Sequence, residues 1–207
     1  MTESTSRRRD GIEFWFDFSS PYAYFASLSI EALADRHSRT VAWNPFALGA
    51  VFKITGMRSL SETPMRGDYA RHDWARLARR HRVPFVLPDG HPLSTVAVAR
   101  AFLWLQTSKP DRAVPFATEA MSRYFGRGID IATVGEIARV ADAVGLNGPE
   151  LTEAMQRAEW KEAFHRQTDR AVEKGVFGSP FFFIDGEPFW GTDRMEMMDT
   201  WLAGGGW

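Results

Sequence analysis

A hydroxyl side chain stands at a predicted strand-to-helix junction near the start of the chain, in the run FWFDFSSPYAYF at residues 14–25. The apolar run ends at Ser20-Pro21, and proline suits the first position of a helix because its fixed φ is helical. The start of a helix carries unpaired N–H groups and the positive end of the helix dipole, so an anion held there is stabilised. Ser20 is therefore the first candidate for chemistry. The alternative is that it serves only as an N-cap, with a benefit of ~1 kcal/mol.

The composition removes several kinds of chemistry. The chain contains no cysteine, which excludes disulfides, thiolate metal sites and catalysis by a thiol of the protein itself. The 5 histidines show no metal-ligand spacing, so we predict no metal site. No glycine-rich phosphate loop is present in the sequence either.

Length, charge and hydropathy limit the number of domains and the kinds of partner. A chain of 207 residues fits one domain, with room for an inserted subdomain. The formal net charge of -1 gives no global attraction to nucleic acid or to an anionic membrane, and no apolar stretch approaches the ~18 residues of a membrane span. The basic start MTESTSRRRD lacks the apolar segment of a secretory signal. We therefore expect a cytoplasmic protein with a small-molecule partner and a mobile tail over residues 1–11.

The rest of the sequence divides into two outer blocks around a helical middle. Short runs of β-branched and aromatic residues predict strands over 12–18 and 40–46, and apolar residues at helical spacing predict a helix over 21–37. No strand is predicted between about 65 and 175. The helices predicted there are one through Tyr69, Trp74 and Leu77, one over 94–107, one after Pro110, one begun by the capping box Thr133 and Glu136, and one over 149–174.

The last block returns to strands. SPFFFIDGEPFW predicts two strands, 181–184 and 188–190, joined by a turn at Asp185-Gly186. GTDRMEMMDTWL predicts a closing helix with Asp193 and Glu196 as its capping box. The full order is strand, helix, strand, helical insertion, strand, strand, helix.

This order is that of an α/β, thioredoxin-like domain with a large all-helical insertion. We predict that residues 12–60 and 175–207 form the thioredoxin-like domain and that 61–174 form the insertion. In that fold the reactive group lies where the first strand turns into the first helix, which is the position of Ser20. Thiol-disulfide enzymes carry Cys-x-x-Cys at this turn, whereas this chain has Ser20-Pro21-Tyr22-Ala23. The protein itself therefore cannot carry redox chemistry, and a thiol has to come from another molecule.

Four blocks in matching order carry a family resemblance. FDFSSPYAY, NPFALGAVFKITG, GVFGSPFFFIDGEPFWGTDR and MEMMDTWL resemble the 2-hydroxychromene-2-carboxylate isomerases, glutathione-dependent relatives of kappa-class glutathione transferases in the DsbA-like thioredoxin superfamily. The resemblance runs from about residue 12 to 202. It implies that Ser20 lies against the sulfur of glutathione, and that Ser19, which precedes the turn, points elsewhere. A hydroxyl that donates to sulfur lowers the pKa of the thiol without competing as a nucleophile.

The resemblance also assigns residues that bind glutathione. It implies a cis bond between Ser179 and Pro180, with the Ser179 backbone pairing with the cysteinyl unit like an added strand; the alternative is an ordinary trans proline. Thr192 and Asp193, at the start of the last helix, would bind the γ-glutamyl carboxylate and ammonium, or act as caps. Lys53 would bind a carboxylate of glutathione or of the substrate, and the alternative is a solvated surface lysine.

One position departs from the family pattern, and two groups of residues need an interpretation. Relatives often have asparagine directly after the glycine that follows Lys53, whereas this chain has Met57, which removes an amide contact and bears on the identity of the substrate. The basic stretch over 66–82 contains interleaved aspartates and is typical of a solvated helix face. Aromatic residues near the proposed site in sequence could enclose a flat substrate, although most are expected in the core: Trp15, Tyr22, Tyr24, Phe46 and Phe52.

The resemblance implies a glutathione-dependent isomerase that interconverts 2-hydroxychromene-2-carboxylate and trans-o-hydroxybenzylidenepyruvate in aromatic catabolism. The thiolate would add reversibly to the conjugated double bond, which rotates before elimination regenerates glutathione. Two alternatives stay open, a kappa-type glutathione transferase that releases a conjugate and a non-catalytic thioredoxin-like binding protein. The expected partners are a small aromatic carboxylate substrate and a second copy of the chain in a homodimer, with no nucleic acid and no membrane.

Overall fold

The computed structural model describes residues 11–207. Apart from Gly11, the predicted N-terminal tail over residues 1–11 lies outside the described residues. Across 11–207, no helix is long and apolar enough to cross a membrane.

A four-stranded mixed sheet forms the centre of the molecule. Its strands are β1 (Ile12–Phe16), β2 (Val41–Pro45), β3 (Phe181–Ile184) and β4 (Glu187–Trp190). The spatial order is β2-β1-β3-β4, with β1 parallel to β2 and antiparallel to β3, and β3 antiparallel to β4. The four predicted strands are confirmed. β1 ends before its predicted limit because the chain turns at Asp17, whose carbonyl accepts from Ser20 N over 3.0 Å.

The connection between β3 and β4 is the predicted two-residue turn. Asp185 and Gly186 have φ values of 53° and 90°, and Ile184 pairs with Glu187 across them. Positive φ at both central residues matches the twist of the flanking strands, and an Asp-Gly pair favours that geometry.

Helices occupy most of the rest of the described chain. The α-helices are α1 (Pro21–Ser27), α2 (Ile30–Arg36), α3 (Leu48–Thr55), α4 (Arg66–His81), α5 (Val96–Ser108), α6 (Pro110–Met121), α7 (Val134–Ala143), α8 (Gly148–Ala154), α9 (Ala158–Glu173) and α10 (Met195–Gly204). Two 3₁₀ turns, Leu60–Glu62 and Thr192–Arg194, and a π-helical turn, Ser122–Gly126, accompany them. Every regular element between 65 and 175 is helical, as predicted.

Two predicted helices are each divided in the structure. The predicted helix 21–37 is α1 and α2, because the chain turns at Ser29, whose N–H donates to Ala26 O over 3.1 Å. The predicted helix 149–174 is α8 and α9, separated by a turn in which Arg157 N donates to Ala154 O over 3.1 Å. Neither turn contains glycine or proline, so the usual sequence signals of a break are missing.

The helix α3 was not predicted, although it carries Lys53. Its first residue, Leu48, donates its N–H to Asp17 Oδ2 over 2.9 Å. The donor and acceptor are 31 residues apart in sequence, so a tertiary contact fixes the start of this helix. Local patterns do not reveal such a contact.

The capping box predicted at Thr133 is half formed. The Thr133 hydroxyl accepts from Glu136 N over 3.3 Å, as a cap does. The Glu136 carboxylate, however, accepts from Arg123 and Arg139 at 2.5 and 2.9 Å, so it does not return to the Thr133 backbone.

The capping box predicted at Asp193 is wrong. A 3₁₀ turn, Thr192–Arg194, precedes α10, which begins at Met195 with no side-chain cap. Glu196, the predicted partner of Asp193, instead accepts from Arg80 of α4 over 2.6 Å. A contact between distant helices therefore replaces the local one.

Helices of the predicted insertion pack on both faces of the sheet. On one face, the rings of Phe16 in β1 and Phe102 in α5 lie 5.7 Å apart between centroids. On the other face, Trp15 packs in a cluster with Phe46 and with Ala171 of α9. Side chains of β1 thus contact helices of the predicted insertion on both faces of the sheet. The division into 12–60 with 175–207, and 61–174, stays a prediction.

Candidate active site

A cleft of about 1630 Å³ opens where β1 ends and α1 begins. This volume exceeds the ~300–1,000 Å³ typical of small-ligand pockets, so it has room for two small molecules. The cleft is lined by all the site residues predicted from the sequence: Ser20, Lys53, Ser179, Pro180, Thr192 and Asp193. The fold therefore brings together residues that are up to 173 positions apart in sequence, taking 193 minus 20.

Ser20 lines the cleft and is 5% exposed. Together with Asp17 and Ser179, which are also buried and line the cleft, it forms what we call the base of the cleft. Its Oγ accepts from Ala23 N over 3.2 Å, so it caps α1 as the alternative interpretation expected. The same hydroxyl donates to the carbonyl oxygen of Ser179 over 2.8 Å. The cap and the contact with the proline loop coexist because a hydroxyl has one proton and two lone pairs.

The peptide bond between Ser179 and Pro180 is cis, as predicted. Ser179 is connected to the turn after β1 in two ways, through its carbonyl to Ser20 and through its Oγ, which accepts from Asp17 N over 2.9 Å. The Pro180 carbonyl accepts from Gly191 N over 3.1 Å. This loop is thus held from both sides at the base of the cleft.

Asp17 is a buried carboxylate that the sequence reasoning missed. It accepts from Ser19 N at 2.8 Å and Thr95 Oγ1 at 2.9 Å through Oδ1, and from Leu48 N at 2.9 Å through Oδ2. Burial raises the pKa of Asp17, and the hydrogen bonds from Ser19, Leu48 and Thr95 oppose that shift. Asp17 ties the turn after β1 to the starts of α3 and α5.

Ser19 was predicted to point away from the site, but it lines the cleft as Ser20 does. Location alone therefore does not distinguish the two serines. Its backbone N–H donates to Asp17 Oδ1 over 2.8 Å. What separates the two serines is that the Ser20 hydroxyl caps α1 and contacts Ser179.

Thr192 and Asp193 form a turn at the edge of the cleft. They follow Gly191, whose φ of 103° is disfavoured for residues other than glycine. Thr192 Oγ1 lies 3.8 Å from Met195 Sδ. The Asp193 carboxylate lies 3.4 Å from a guanidinium nitrogen of Arg194, and the Asp193 side chain is 71% exposed. The Asp193 carboxylate is therefore largely solvated.

Cationic side chains line the side of the cleft formed by α3 and the segment after it. Lys53, Arg58 and Arg66 are exposed, and none of them forms an ion pair with another residue of 11–207. Met57, which stands where relatives often have asparagine, also lines the cleft and is 37% exposed. The departure from the family pattern therefore falls within the cleft.

Aromatic and titratable side chains also line the cleft. Of the five aromatic residues singled out from the sequence, Tyr22 and Phe52 line the cleft, whereas Trp15, Tyr24 and Phe46 are buried. The Tyr22 hydroxyl donates to Asp73 Oδ2 over 3.0 Å, and burial together with this carboxylate raises the pKa of Tyr22.

Trp74 and His91 also line the cleft, and the sequence reasoning did not assign either to the site. The Trp74 ring lies 6.0 Å from the Tyr22 ring and 6.3 Å from the His91 ring between centroids, edge to face in both cases. We call Tyr22, Trp74 and His91 the aromatic wall. The only signal in the sequence was the helical spacing of Trp74, which indicated a packed helix and not a site.

Comparisons with known proteins agree with this geometry. Residues 11–203 match the model of the DSBA-like thioredoxin domain. A 2-hydroxychromene-2-carboxylate isomerase from Sphingobium xenophagum is 29% identical over 193 residues, which cover 92% of this chain and 97% of that protein. A kappa 1 glutathione S-transferase from Caenorhabditis elegans is 27% identical over 202 residues, covering 90% of this chain and 88% of that protein.

A solved structure gives the same relationship in three dimensions. The structure of a 2-hydroxychromene-2-carboxylate isomerase superposes with a TM-score of 0.85 at 25% identity, covering 93% of this chain and 94% of that one. With the family model spanning nearly the whole sequence, the chain belongs to the DSBA-like thioredoxin domain family.

Proposed function

We propose that this protein is a glutathione-dependent isomerase that interconverts 2-hydroxychromene-2-carboxylate and trans-o-hydroxybenzylidenepyruvate. The observation that carries the proposal is the contact between the Ser20 hydroxyl and the Ser179 carbonyl, next to a cis proline, at the base of a cleft that contains no cysteine. Support comes from relatives with this name that match over nearly their full length.

The residues of the cleft fit the chemistry of glutathione. A tripeptide needs backbone partners, and Ser179 lies beside the cis proline at the base of the cleft. A thiolate needs a donor, and Ser20 has a hydroxyl at the start of a helix. The charged ends of the tripeptide need partners, which the turn at Thr192 and Asp193 and the cation of Lys53 provide.

When bound, glutathione supplies a thiolate that adds reversibly to a conjugated double bond and so permits rotation about it. Ser20 stabilises that anion by donating a hydrogen bond from its hydroxyl group. The proton of that group is held by the Ser179 carbonyl at 2.8 Å, and a hydroxyl has only one to give. The Ser20 hydroxyl must therefore rotate toward the sulfur, and the Ser179 carbonyl becomes available to a peptide N–H. Ala23 N continues to fix the position of Oγ during this exchange.

The substrate enters between the cationic side and the aromatic wall. The cations Lys53, Arg58 and Arg66 attract its carboxylate, and the ring of Tyr22, backed by the buried Trp74, provides apolar surface for its aromatic ring. Room for both molecules in one cleft is part of the proposal, because the thiolate and the double bond must meet.

A kappa-type glutathione transferase is the second candidate, and it is favoured by the 27% identity to the Caenorhabditis elegans transferase. It would use the same thiolate and release a conjugate. A non-catalytic thioredoxin-like binding protein is the third. The cytoplasmic location and the homodimer that we expect from the sequence are also part of the proposal, and sedimentation of the purified chain tests the homodimer.

The deciding experiment follows isomerisation by absorbance with the purified full chain and 2-hydroxychromene-2-carboxylate. We expect turnover that requires glutathione and leaves its concentration unchanged, measured by thiol titration before and after the reaction. Consumption of one glutathione per product would identify the transferase. If neither reaction occurs and calorimetry shows no binding of glutathione, the remaining candidate is the non-catalytic thioredoxin-like binding protein.

A further inference from the structure

His91 lines the cleft from the loop that precedes α5, and one of its ring nitrogens is bound inside the protein. His91 Nδ1 lies 2.9 Å from the hydroxyl of Tyr124, which is fully buried. The Tyr124 oxygen also accepts from Leu93 N over 3.2 Å. Because that oxygen receives the Leu93 N–H, its own proton is free to bond His91 Nδ1.

The Tyr124 hydroxyl has no other acceptor among residues 11–207, so burial of its proton favours one tautomer of His91. A Nδ1 that accepts from Tyr124 carries no proton, so the proton of the neutral ring lies on Nε2. Within residues 11–207, His91 Nε2 has no hydrogen-bond partner and is not among the enclosed polar atoms that lack one. The N–H at Nε2 therefore opens into the cleft that His91 lines.

The surroundings also keep the ring neutral. Burial, with a smaller contribution from the cation of Arg71, lowers the pKa of His91 to about 4. The ring packs beside Trp74 and Phe125, with centroids 6.3 and 5.9 Å away. His91 is thus a neutral donor in largely apolar surroundings.

Two sets of contacts connect His91 to the turn that carries Ser20. Its loop ends at Thr95, whose hydroxyl donates to Asp17 over 2.9 Å, in the turn that carries Ser20. The rings of the aromatic wall connect it to Tyr22, two residues after Ser20. His91 and Ser20 also line the same cleft.

We propose that His91 Nε2–H donates a hydrogen bond to the ketone oxygen of the substrate and stabilises the negative charge that forms there. This inference names a catalytic residue for the isomerase proposed above and rests on that function for the identity of the substrate. Tyr124 is a positioning residue, because it acts only by holding the His91 tautomer.

2-Hydroxychromene-2-carboxylate is a cyclic hemiketal, so its ketone forms when the ring C–O bond breaks and the proton of the 2-hydroxyl passes to the phenol oxygen. From the opened ketone onward, the electrons balance without a proton transfer. When a nucleophile adds to the distal carbon of a conjugated ketone, its lone pair forms the new bond, the carbon–carbon π pair moves toward the carbonyl, and the carbonyl π pair moves onto oxygen. The reverse movement expels the nucleophile. His91 keeps its proton throughout, as suits a donor whose ring is held neutral, and a preorganised donor aimed at a developing oxyanion is a large source of rate acceleration.

The ketone oxygen is a better match for His91 than the carboxylate is. A carboxylate is charged before the reaction begins and is served by the cations Lys53, Arg58 and Arg66. A neutral donor among rings gains most from a charge that appears only in the transition state.

The test compares His91→Phe, which keeps an aromatic ring, with His91→Gln, whose amide N–H can replace the Nε2 donor. Each variant and the wild-type chain are assayed with glutathione on 2-hydroxychromene-2-carboxylate, on benzylideneacetone, and on iodoacetamide. Addition to benzylideneacetone places charge on a ketone oxygen, whereas alkylation by iodoacetamide places none there. We expect His91→Phe to slow the first two reactions by roughly a hundredfold, the effect of removing one oxyanion donor, with alkylation nearly unchanged.

His91→Gln should recover most of the lost rate on the two ketones. A second readout needs no activity: ¹⁵N chemical shifts of the histidines, with the His91 signal assigned by its loss in His91→Gln, should show the Nε2–H tautomer. In Tyr124→Phe, which removes the hydroxyl, the Nδ1–H tautomer should become populated.

Three results would overturn the inference: an Nδ1–H tautomer in the wild-type chain, unchanged ketone rates in His91→Phe, or an equal loss on ketones and iodoacetamide. If the wild-type chain does not isomerise the chromene but His91→Phe still separates benzylideneacetone from iodoacetamide, the isomerase proposal fails and the role of His91 stands. If the wild-type chain accelerates none of the three reactions, both fail.

Discussion

The base of the cleft and its aromatic wall differ in how completely their polar atoms are paired. At the base, Ser20, Ser179 and Asp17 are 5, 9 and 8% exposed, and the hydroxyl and carboxylate oxygens of all three form hydrogen bonds within the protein. On the wall, His91 Nε2 has no partner within residues 11–207 and is accessible from the cleft, whereas the unpartnered Trp74 Nε1 is enclosed. A paired base holds its geometry before any ligand arrives, whereas a ligand can complete the open donor of His91 on the wall.

This difference separates two tasks. A change at the base should alter the thiol chemistry and the stability of the protein together, because the same hydrogen bonds serve both. A change on the wall should alter the reaction of the substrate with little effect on the thiol. The following predictions test that separation.

The largest effect of a change at the base should follow the removal of the Ser20 hydroxyl. Ser20→Ala removes one charge-assisted hydrogen bond to the thiolate, of order 1.5–3 kcal/mol, and should raise the pKa of the bound thiol by roughly one to two. Isomerase turnover at neutral pH should fall by about ten- to a hundredfold and partly recover in alkali, where the thiolate forms without help. Thiolate absorbance titrated in the complex measures the pKa.

The control for Ser20→Ala is Ser20→Gly. The cap of α1 is lost at a cost of ~1 kcal/mol in the alanine variant and of only a few tenths in the glycine variant, so a loss of turnover common to both is not caused by the cap. If both variants keep full turnover and an unchanged thiol titration, Ser20 is a cap only and the proposed mechanism is falsified.

The second effect concerns Asp17 and the stability of the base. Asp17→Asn keeps one acceptor oxygen but turns an NH₂ group toward either Leu48 N or the donors of Ser19 and Thr95. A buried donor left without its acceptor costs about 1–3 kcal/mol, so the free energy of unfolding in urea should fall by about 2 kcal/mol. Thr95→Val, which removes only one of the donors, should cost less. Equal stability of Asp17→Asn and the wild-type chain would show that this carboxylate does not organise the base.

The sequence predicts the frame of the molecule better than it predicts the cleft. The four strands and the Asp185-Gly186 turn carry local signals, namely β-branched and aromatic runs and a dipeptide suited to positive φ, and they are confirmed. The helix α3 and the start of α10 were missed or misassigned because contacts with Asp17 and Arg80, distant in sequence, determine them.

The same distinction explains which parts of the site were predicted. Ser20 and Pro180 were found because a helix start and a strand start mark them in the sequence, and the family resemblance gave them roles. Asp17 reads as one polar residue in an aromatic run, and its partners Leu48 and Thr95 become neighbours only in the fold. His91 was considered only for metal ligation, and the role inferred for it depends on Tyr124, 33 residues away.

A third, smaller effect is the pH dependence of stability that the wall contributes. The folded-state pKa of His91, about 4, lies below its unfolded value of ~6.5, so the unfolded chain binds more protons between these values. The contribution of neutral His91 to the free energy of unfolding is therefore complete above about pH 6.5 and is lost as pH falls toward 4.

His91→Gln should remove the part of the acid destabilisation that protonation of His91 causes. Because the ring is only partly buried, solvent reduces the effect, and we expect about 1 kcal/mol less acid destabilisation between about pH 7 and pH 5 in the variant than in the wild-type chain. Urea unfolding at the two pH values measures the difference. The pKa of His81 is also lowered by burial and by Arg80, but His81 is present in both proteins, so its contribution cancels. Equal slopes with pH would mean that His91 titrates normally in the folded state.

The smallest effect should come from Lys53, which belongs to neither the base nor the wall. Its side chain is exposed and forms no ion pair within 11–207, so a contact with a ligand carboxylate is worth only ~0.2–1 kcal/mol, or a change in KM of roughly 1.4- to fivefold. Lys53→Met should raise one KM selectively and leave the pKa of the bound thiol unchanged. A rise in the KM for glutathione would associate Lys53 with the base, and a rise in the KM for the chromene would associate it with the wall.

The matched control for a general loss of positive charge is Arg58→Met, because Arg58 is a neighbouring unpaired cation that also lines the cleft. The Lys53 effect should also weaken as salt is added, because exposed charges are screened. If Lys53→Met changes neither KM at low salt, Lys53 is a solvated surface lysine, the alternative that the sequence left open.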